Sequence, residues 1–233
     1  MKKKLTYFLI VIVLLASLTA FLNMNVTTRR GVDYKVCRLK IPLYLKILDF
    51  LDRHYNYKHL ARSITAGILT EEERVIKILE WTYQNIRRNP DGFPVFDDHV
   101  WYVIIRGHGV HDQFNVIFSV LCNYAGFQGF YKWTSSSDQQ KTIPLSFIKV
   151  NRRWCVFDPY RGVYFKDKFD KLACIEDLKN GDFTIIPINR KPELDYMFFF
   201  KNLKPVNEGD FDWLNLHSPF DRAVYILKKI FKR

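Results

Sequence analysis

Residues 107–126 read GHGVHDQFNVIFSVLCNYAG, and this stretch decides the fold. Its second half is apolar on nearly every side of a helix with about 3.6 residues per turn, which is typical of a helix at the centre of a domain. Gly107 and Gly109 form a glycine-rich lead-in, and Gly126 is a natural C-terminal cap. The sequence therefore predicts a central, buried helix that begins close to residue 111.

A second, amphipathic helix is predicted upstream of this stretch. Thr70 followed by Glu73 is a capping-box signature, in which each side chain satisfies the other residue's backbone N–H. The turn Asn89–Gly92 ends the element. The spacing predicts a helix from 71 to about 88, and one face carries its apolar residues: Val75, Ile78, Leu79, Tyr83 and Ile86.

Short strands are predicted downstream. The residues Asn151-Arg152-Arg153 favour a hairpin turn between the second and third of them. A buried helix followed by an antiparallel sheet indicates an α+β fold. The predicted strands are Gly129–Trp133, Leu145–Val150, Trp154–Phe157 and Val163–Phe165.

The N-terminus predicts a membrane segment. A basic cap, Met1–Lys4, precedes the uncharged stretch Leu5–Leu22, which as a helix would be about 27 Å long, close to the thickness of a bilayer's hydrocarbon core. A cleaved signal peptide is the alternative, but Leu18 is a poor match where a small residue is expected before the cleavage site. We predict a single-pass transmembrane anchor within residues 1–28.

Basic residues flank this segment on both sides. The lysines at 2–4 favour a cytoplasmic N-terminus, whereas the basic residues between 29 and 40 favour the opposite orientation. We expect the domain to lie outside the cytoplasmic membrane. Residues 29–64 are predicted to be a helical extension, with its helix beginning after Pro42. We expect this extension to pack on the domain or on the membrane surface.

The net charge of +12 favours anionic partners. The basic residues occur as scattered pairs without an arginine-rich arm or a zinc finger, so no nucleic-acid partner is expected. The tail, residues 218–233, predicts a basic amphipathic helix that binds anionic lipid or docks on its own domain. Both interpretations stay open.

The four cysteines have no metal-binding spacing. Cys122 and Cys155 lie in apolar patterns that predict core positions. His99, His108, His111 and Asp112 raise the hypothesis of a metal site, but a glycine-rich loop leaves their geometry unconstrained and zinc usually has further acidic or cysteine ligands. No metal or cofactor is therefore predicted.

Three features resemble the transglutaminase-like superfamily, which has a papain-like fold. They are a helix with a central tryptophan (Glu80–Ile86), the Gly-x-Gly-x-x-Asp stretch Gly107–Asp112, and a hairpin that ends in Arg153–Pro159 (RWCVFDP). The resemblance covers roughly residues 65–175. It implies a cysteine that opens the central helix, a histidine on the next strand and an aspartate at the end of the strand after the hairpin.

The chemistry of that family explains the arrangement. A helix N-terminus favours thiolate, the histidine moves the proton, and the aspartate orients the histidine. In this chain the cysteine position falls on His111 and the histidine position on Leu145, or on Pro144 or Ser146 in a shifted register. Only Asp158 fits its role, so the resemblance implies a degenerate site. The dipole at a helix N-terminus disfavours an imidazolium, so we predict a neutral His111.

Other cysteines are poor substitutes for the missing thiol. Cys122 lies about 16 Å along the helix from His111, and Cys155 faces the opposite side of its strand from Asp158. Trp133 and Tyr131 are predicted to belong to the core rather than to the wall of a cleft. The candidate residues of a binding cleft are His108, His111, Asp112, Gln113, Trp133 and Asp158.

These observations predict four segments and a function. The segments are the anchor 1–28, a juxtamembrane helical extension 29–64, a transglutaminase-like domain 65–200 and a basic C-terminal extension 201–233. The preferred hypothesis is a non-catalytic binding or scaffolding protein of the cell envelope, with a peptide or glycan ligand. The alternatives are an active cysteine-protease-like hydrolase or acyltransferase with a rewired centre around His111, Asp112 and Asp158, and an accessory protein of envelope polysaccharide assembly that binds anionic surfaces.

Overall fold

The computed structural model describes residues 2–32, 35–95, 99–136, 142–189 and 194–204, together with Ser218, Val224, Leu227 and Lys228. The described residues form two compact units, the first ending at Arg53 and the second beginning at His54. Apart from those four residues, the predicted tail helix 218–233 lies outside the described part of the chain.

The first unit contains the apolar helix that the sequence predicts. Helix α1 (Lys2–Leu22) has a mean hydropathy of 2.5 over Lys3–Leu22 and buries none of that stretch within the protein. Its length and composition suit a membrane span or a signal sequence. An unpredicted hairpin follows, β1 (Asn25–Val32) paired antiparallel with β2 (Lys35–Pro42).

Helix α2 (Leu43–Thr65) begins directly after Pro42, as the sequence predicts. The Leu43 N–H donates to the carbonyl of Met24, 2.9 Å away, so the chain returns at the end of the hairpin to the point where it left α1. The exposed side chains in the first turns of α2 are apolar: Tyr44, Leu45, Ile47 and Leu48.

The second unit contains α3 (Glu71–Asn85), α4 (Val100–Arg106) and the central α5 (His111–Tyr124). Thr70 caps α3, accepting from the Glu73 N–H at 3.3 Å and donating to its carboxylate at 2.7 Å. Helix α3 ends earlier than predicted because β3 (Arg87–Arg88) pairs in parallel with β4 (His108–Gly109).

Five antiparallel strands form one sheet in the order β5-β6-β7-β8-β9. The four predicted strands are confirmed as β5 (Gln128–Ser135), β6 (Thr142–Val150), β7 (Arg153–Asp158) and β8 (Val163–Asp167). The predicted turn between β6 and β7 is present, with φ of 48° at Asn151 and 67° at Arg152. The sequence did not predict β9 (Phe183–Pro187) or the short helices α6 (Ile175–Asn180) and α7 (Tyr196–Lys201).

The register of the strands determines which side chains share a face. Ser146 pairs with Phe157, and the Phe157 ring packs against Phe118 of α5, with 5.1 Å between ring centroids. The opposite face carries Phe165, whose ring packs 5.0 Å from that of Tyr196 in α7. The sheet therefore lies between α5 and α7, which confirms the α+β fold.

Candidate functional site

The N-terminus of α5 is the first part of the candidate site, and His111 is its first residue. The Gln113 side chain turns back to accept from the Val110 N–H at 3.2 Å, and the Asp112 carboxylate accepts from the Gln113 N–H at 3.0 Å. A Cβ at Gly109 would lie 3.2 Å from the Gln113 side-chain oxygen. Two of the predicted cleft residues, Asp112 and Gln113, therefore bond to the start of the helix.

His111 stacks on an aromatic ring that the sequence analysis did not identify. Its ring centroid lies 3.7 Å from that of Tyr160, with 31° between the planes. Burial lowers the pKa of His111 below its ordinary value, and the positive charge of Arg161 lowers it further, while Asp158 acts in the opposite direction. His111 is therefore neutral at pH 7. Its burial and the charge of Arg161 favour the neutral form in addition to the helix dipole.

Asp158 is fully buried at the end of β7 and has three fixed donors. Arg161 donates from its guanidinium at 2.8 Å and from its backbone N–H at 3.2 Å. The Tyr196 hydroxyl donates at 2.7 Å. Among the described residues, no imidazole donates to this carboxylate, and its side-chain donors are an arginine and a tyrosine.

Leu145 lies on the same face of the sheet as Asp158, because Ser146 pairs with Phe157 and the next residue of each strand alternates to the other face. Its side chain is fully buried. Ser146 faces α5, donating to the Asn115 side-chain oxygen at 2.8 Å, and alternation places Pro144 on the same side. Of the three predicted positions, only Leu145 shares a face with the aspartate, and it has no proton acceptor.

The buried cysteines are poorly suited to nucleophilic chemistry. Burial raises the pKa of Cys122 well above its ordinary value and that of Cys155 to about 12. Burial also raises the pKa of Cys174. Cys122 and Cys155 occupy the core, as predicted.

The prediction that Trp133 belongs to the core is wrong. Its side chain is 50 % exposed, and among the described residues β5 is an edge strand of the five-stranded sheet. Alternation places Trp133 on the same face as Tyr131, whose pKa is raised by burial and by the negative charge of Asp112. Both aromatic residues therefore lie on the face of the sheet that packs against α5.

The turn between β7 and β8 supplies the residues that sequence reasoning missed, Tyr160 and Arg161. Gly162 has φ of +63°, and a Cβ there would lie 2.7 Å from the Tyr83 ring, so only glycine lets this turn pack against α3. The guanidinium of Arg88 lies 4.4 Å from the Tyr160 ring centroid. An arginine three residues after a strand-ending aspartate is a local signal for this ion pair, whereas nothing near Asp158 in the sequence indicates Tyr196.

The remaining histidines have other contacts. His108 is half-buried, with Nδ1 3.0 Å from the carbonyl oxygen of Arg106, and His99 is an exposed residue at the start of α4. In the part of the chain that the structure describes, no group of three or more histidine, cysteine, aspartate or glutamate side chains is placed to hold a metal ion.

Residues 58–159 match the model of a family described as the transglutaminase-like superfamily. No curated protein matches the chain. A proposed cysteine protease from Cytophaga hutchinsonii is similar in structure, with 16 % identity and a TM-score of 0.42 over 61 % of this chain and 51 % of that one. A proposed protease from Parabacteroides distasonis has 13 % identity and a TM-score of 0.37 over 57 % and 35 % of the two chains. A structure described as a TGase has 6 % identity and a TM-score of 0.38 over 57 % and 43 %.

The match thus spans about half or less of each of these three structures. All three TM-scores lie below 0.5, which is too low to indicate a shared activity.

Proposed function

We propose that residues 58–159, which match the transglutaminase-like superfamily, belong to a non-catalytic domain that serves in binding or scaffolding and is held at a membrane by α1. In this proposal the site at the start of α5 keeps the position of the family's active site and loses its chemistry. The ligand is a peptide or glycan chain.

One observation carries the proposal. The buried carboxylate of Asp158 is bound by Arg161 and Tyr196, at 2.8 and 2.7 Å. An aspartate that orients a catalytic imidazole accepts a hydrogen bond from the ring N–H, whereas the donors that the structure shows at Asp158 belong to Arg161 and Tyr196. Moving Arg161 away would leave a buried carboxylate with part of its partners lost, which is costly.

The other two catalytic positions support the same conclusion. His111 is a neutral imidazole stacked on Tyr160, and its lowered pKa disfavours the imidazolium that a proton shuttle forms. Leu145, on the same face of the sheet as Asp158, has no acceptor to activate a nucleophile. In a rewired centre of His111, Asp112 and Asp158, the carboxylate of Asp158 is therefore already paired with Arg161, and none of the three residues supplies a thiol.

Exposed aromatic surface favours binding. Trp133 is half-exposed on the face of the sheet that packs against α5, and the Tyr160 ring lies beside His111 and Arg88. Flat aromatic faces with a few polar neighbours hold sugar rings and peptide side chains by apolar contact while polar groups fix their orientation. Trp133 is the residue we expect to contribute most to affinity.

Helix α1 supplies the membrane attachment in this proposal. A helix of its 21 residues is about 32 Å long, enough to cross the hydrocarbon core. The lysines before it favour a cytoplasmic N-terminus, so the domain faces the outside of the cytoplasmic membrane.

The experiment separates catalysis from binding in the full chain, purified in detergent micelles. Amine incorporation into a glutamine-rich protein and cleavage of a peptide library should show no turnover. The variant His111→Cys should also be inactive, because Leu145 and the Arg161–Asp158 pair remain. Turnover by the natural chain that disappears in both His111→Ala and Asp158→Asn would overturn the proposal.

Binding is measured on the same preparation against a panel of oligosaccharides and acetylated peptides. We expect at least one class to bind, with affinity reduced about tenfold or more by Trp133→Ala, which corresponds to the roughly 1.4 kcal/mol of a good aromatic contact. The matched control is Tyr44→Ala, which removes an exposed aromatic ring from the first unit. Equal losses in both variants would contradict a site near α5.

A second candidate function is binding to an anionic membrane surface. The exposed apolar residues at the start of α2 lie next to the end of α1, since Leu43 bonds to Met24. Lys40 and Lys46 adjoin them in the sequence. If α1 spans the bilayer, these side chains lie at headgroup level, where apolar and basic residues bind together.

This candidate is tested with a spin label at Leu45→Cys in a Cys37→Ser background. In nanodiscs that contain anionic lipid, the label should lie deeper than in nanodiscs of neutral lipid, and high salt should reduce the difference. A label at Asp52→Cys serves as the control. Equal depths in both lipids would contradict this function for α2 and leave the tail 218–233 as the predicted lipid-binding segment.

A further inference from the structure

Two cysteines face each other across adjacent extended segments at the other end of β7 from Asp158. Cys155 of β7 and Cys174, which precedes α6, are partners in an antiparallel bridge. The Val156 N–H donates to the Ala173 carbonyl at 3.4 Å. This bond flanks the pair, so Cys155 and Cys174 occupy a non-hydrogen-bonded position of the ladder.

That position has the geometry of a disulfide. In non-hydrogen-bonded antiparallel pairs the Cα atoms are about 4.5 Å apart and the side chains project to the same side. Disulfides have Cα separations of roughly 4.4–6.8 Å, so the bond needs little movement of the backbone. Both thiols are free and buried in this structure, and Arg153 donates to the Cys174 sulfur at 3.2 Å.

We propose that Cys155 and Cys174 form a cross-strand disulfide by thiol–disulfide exchange with a small-molecule or protein disulfide. One cysteine thiolate attacks the donor disulfide and forms a mixed disulfide. The second thiolate then attacks the protein sulfur of that mixed disulfide. The two cysteines lose two electrons and two protons, and the donor leaves as two thiols.

The bond forms while the chain folds rather than afterwards. Burial raises the pKa of Cys155 to about 12 and also raises that of Cys174, so the folded protein holds little of the thiolate that exchange requires. The same burial protects the completed disulfide from reduction. The state of the pair therefore reports the redox conditions in which the domain folded.

The closed loop would contain the candidate site. Residues 155–174 include Asp158, Tyr160 and Arg161, so a bond between the ends restrains the segment that holds the buried ion pair. This inference is independent of the proposed function, because it depends only on the two cysteines and the strand register. It fits a domain outside the cytoplasm, where disulfides form readily.

Peptide mapping tests the pairing directly. The full chain is refolded in detergent micelles with a mixture of reduced and oxidised glutathione, alkylated and digested with trypsin without reduction. Each cysteine falls in its own tryptic peptide, so a bond links 154–161 to 172–179 only if it joins Cys155 and Cys174. Free thiols at both positions, or a bond from either of them to Cys37 or Cys122, would overturn the proposal.

Timing and stability provide a second measurement. Adding oxidised glutathione to the folded, reduced chain should give the bond at least tenfold more slowly than refolding does. The disulfide form should melt roughly 5–10 °C higher than the reduced form, as expected for closing a loop of this size. The variant Cys155→Ala should lose this difference and Cys122→Ala should keep it. Melting temperatures that do not depend on reduction in the natural chain would contradict a restraining bond.

Discussion

The two ends of β7 each join an arginine to a buried aspartate, and they use the same chemistry for different purposes. At the start of the strand, Arg153 binds Asp167 at 3.2 Å and Asp177, and Asp167 also accepts from two backbone N–H groups, at 2.8 and 3.0 Å. At the end of the strand, Asp158 accepts from Arg161 and Tyr196. Asp167 lies where β8 ends and holds the start of β7, and Asp158 lies at the position where the family resemblance places an aspartate.

The comparison shows that Asp158 is bonded like a structural residue. Asp167 is 8 % exposed and Asp158 is fully buried, and both carboxylates are surrounded by fixed donors. The difference lies in the neighbours, since the charge of Asp158 acts to raise the pKa of His111, whereas Asp167 pairs with Arg153. An aspartate at such a position therefore supports a catalytic role only when a histidine is among its hydrogen-bond donors.

The largest expected effect is that of Arg161→Met. This change removes the cation that pairs with the fully buried Asp158 carboxylate, so the free energy of unfolding should fall by about 3–5 kcal/mol. Urea unfolding of the full chain in detergent micelles, followed by near-ultraviolet circular dichroism, measures it. The double variant Arg161→Met/Asp158→Asn should recover part of the loss. If Arg161→Met alone is as stable as the natural chain, the ion pair with Asp158 does not stabilise the domain.

Tyr196→Phe should rank second. It removes one hydrogen bond to a buried carboxylate while keeping the ring that packs on Phe165, so a loss of about 1.5–3 kcal/mol is expected. The same unfolding experiment measures the change, with Tyr55→Phe, an exposed tyrosine, as the control. A loss no greater than that of the control would mean that Arg161 alone satisfies Asp158.

Arg153→Met at the other end of the strand should cost less, about 1–2 kcal/mol. The Arg153 side chain is 39 % exposed, so water replaces part of what is lost, and Asp167 keeps its two backbone donors. The comparison is sharpened if this loss is clearly smaller than that of Arg161→Met. If Arg153→Met is the more destabilising change, the ion pairs of Arg153 stabilise β7 more than the pair of Arg161 with Asp158 does.

The smallest effect is a dependence on pH. Because the pKa of His111 is lowered from 6.5 in the folded chain, the unfolded chain binds a proton more readily below about pH 6.5. The natural chain should therefore lose stability relative to His111→Gln as the pH falls from 7.5 to 5, with no difference in slope above pH 7. Melting temperatures across this range measure it. Parallel curves would show that His111 titrates like a free histidine.

Most of the fold could be predicted from the sequence because periodicity and turn residues act locally. The caps around α3, the apolar surface of α5 and the turn at Asn151 each identify one element. The hairpin β1–β2 was not predicted, because the basic residues in its two strands interrupt the alternation of apolar and polar residues that indicates a strand. Strand β9 was missed because only its pairing with β8 across an intervening helix makes it a strand.

The candidate site was predicted in part, for a related reason. The positions of His111 and Asp158 follow from motifs along the chain, whereas the face on which Leu145 lies follows only from the strand register, which the sequence leaves open. Tyr196 contacts Asp158 from 38 residues away, and no local pattern indicates such a contact. The exposure of Trp133 depends on how much of that face of β5 the rest of the domain covers, and that is a property of tertiary packing.

The hydrogen bond from Leu43 to Met24 determines how this chain can vary in length. Since the hairpin leaves α1 and returns to it, residues 25–42 are a branch beside the connection between α1 and α2 rather than a spacer within it. Strand pairs inserted into or removed from this branch would leave the separation of the two helices unchanged. The hairpin is therefore the part of the first unit where a tag or a reporter domain can be inserted with the least disturbance to either helix.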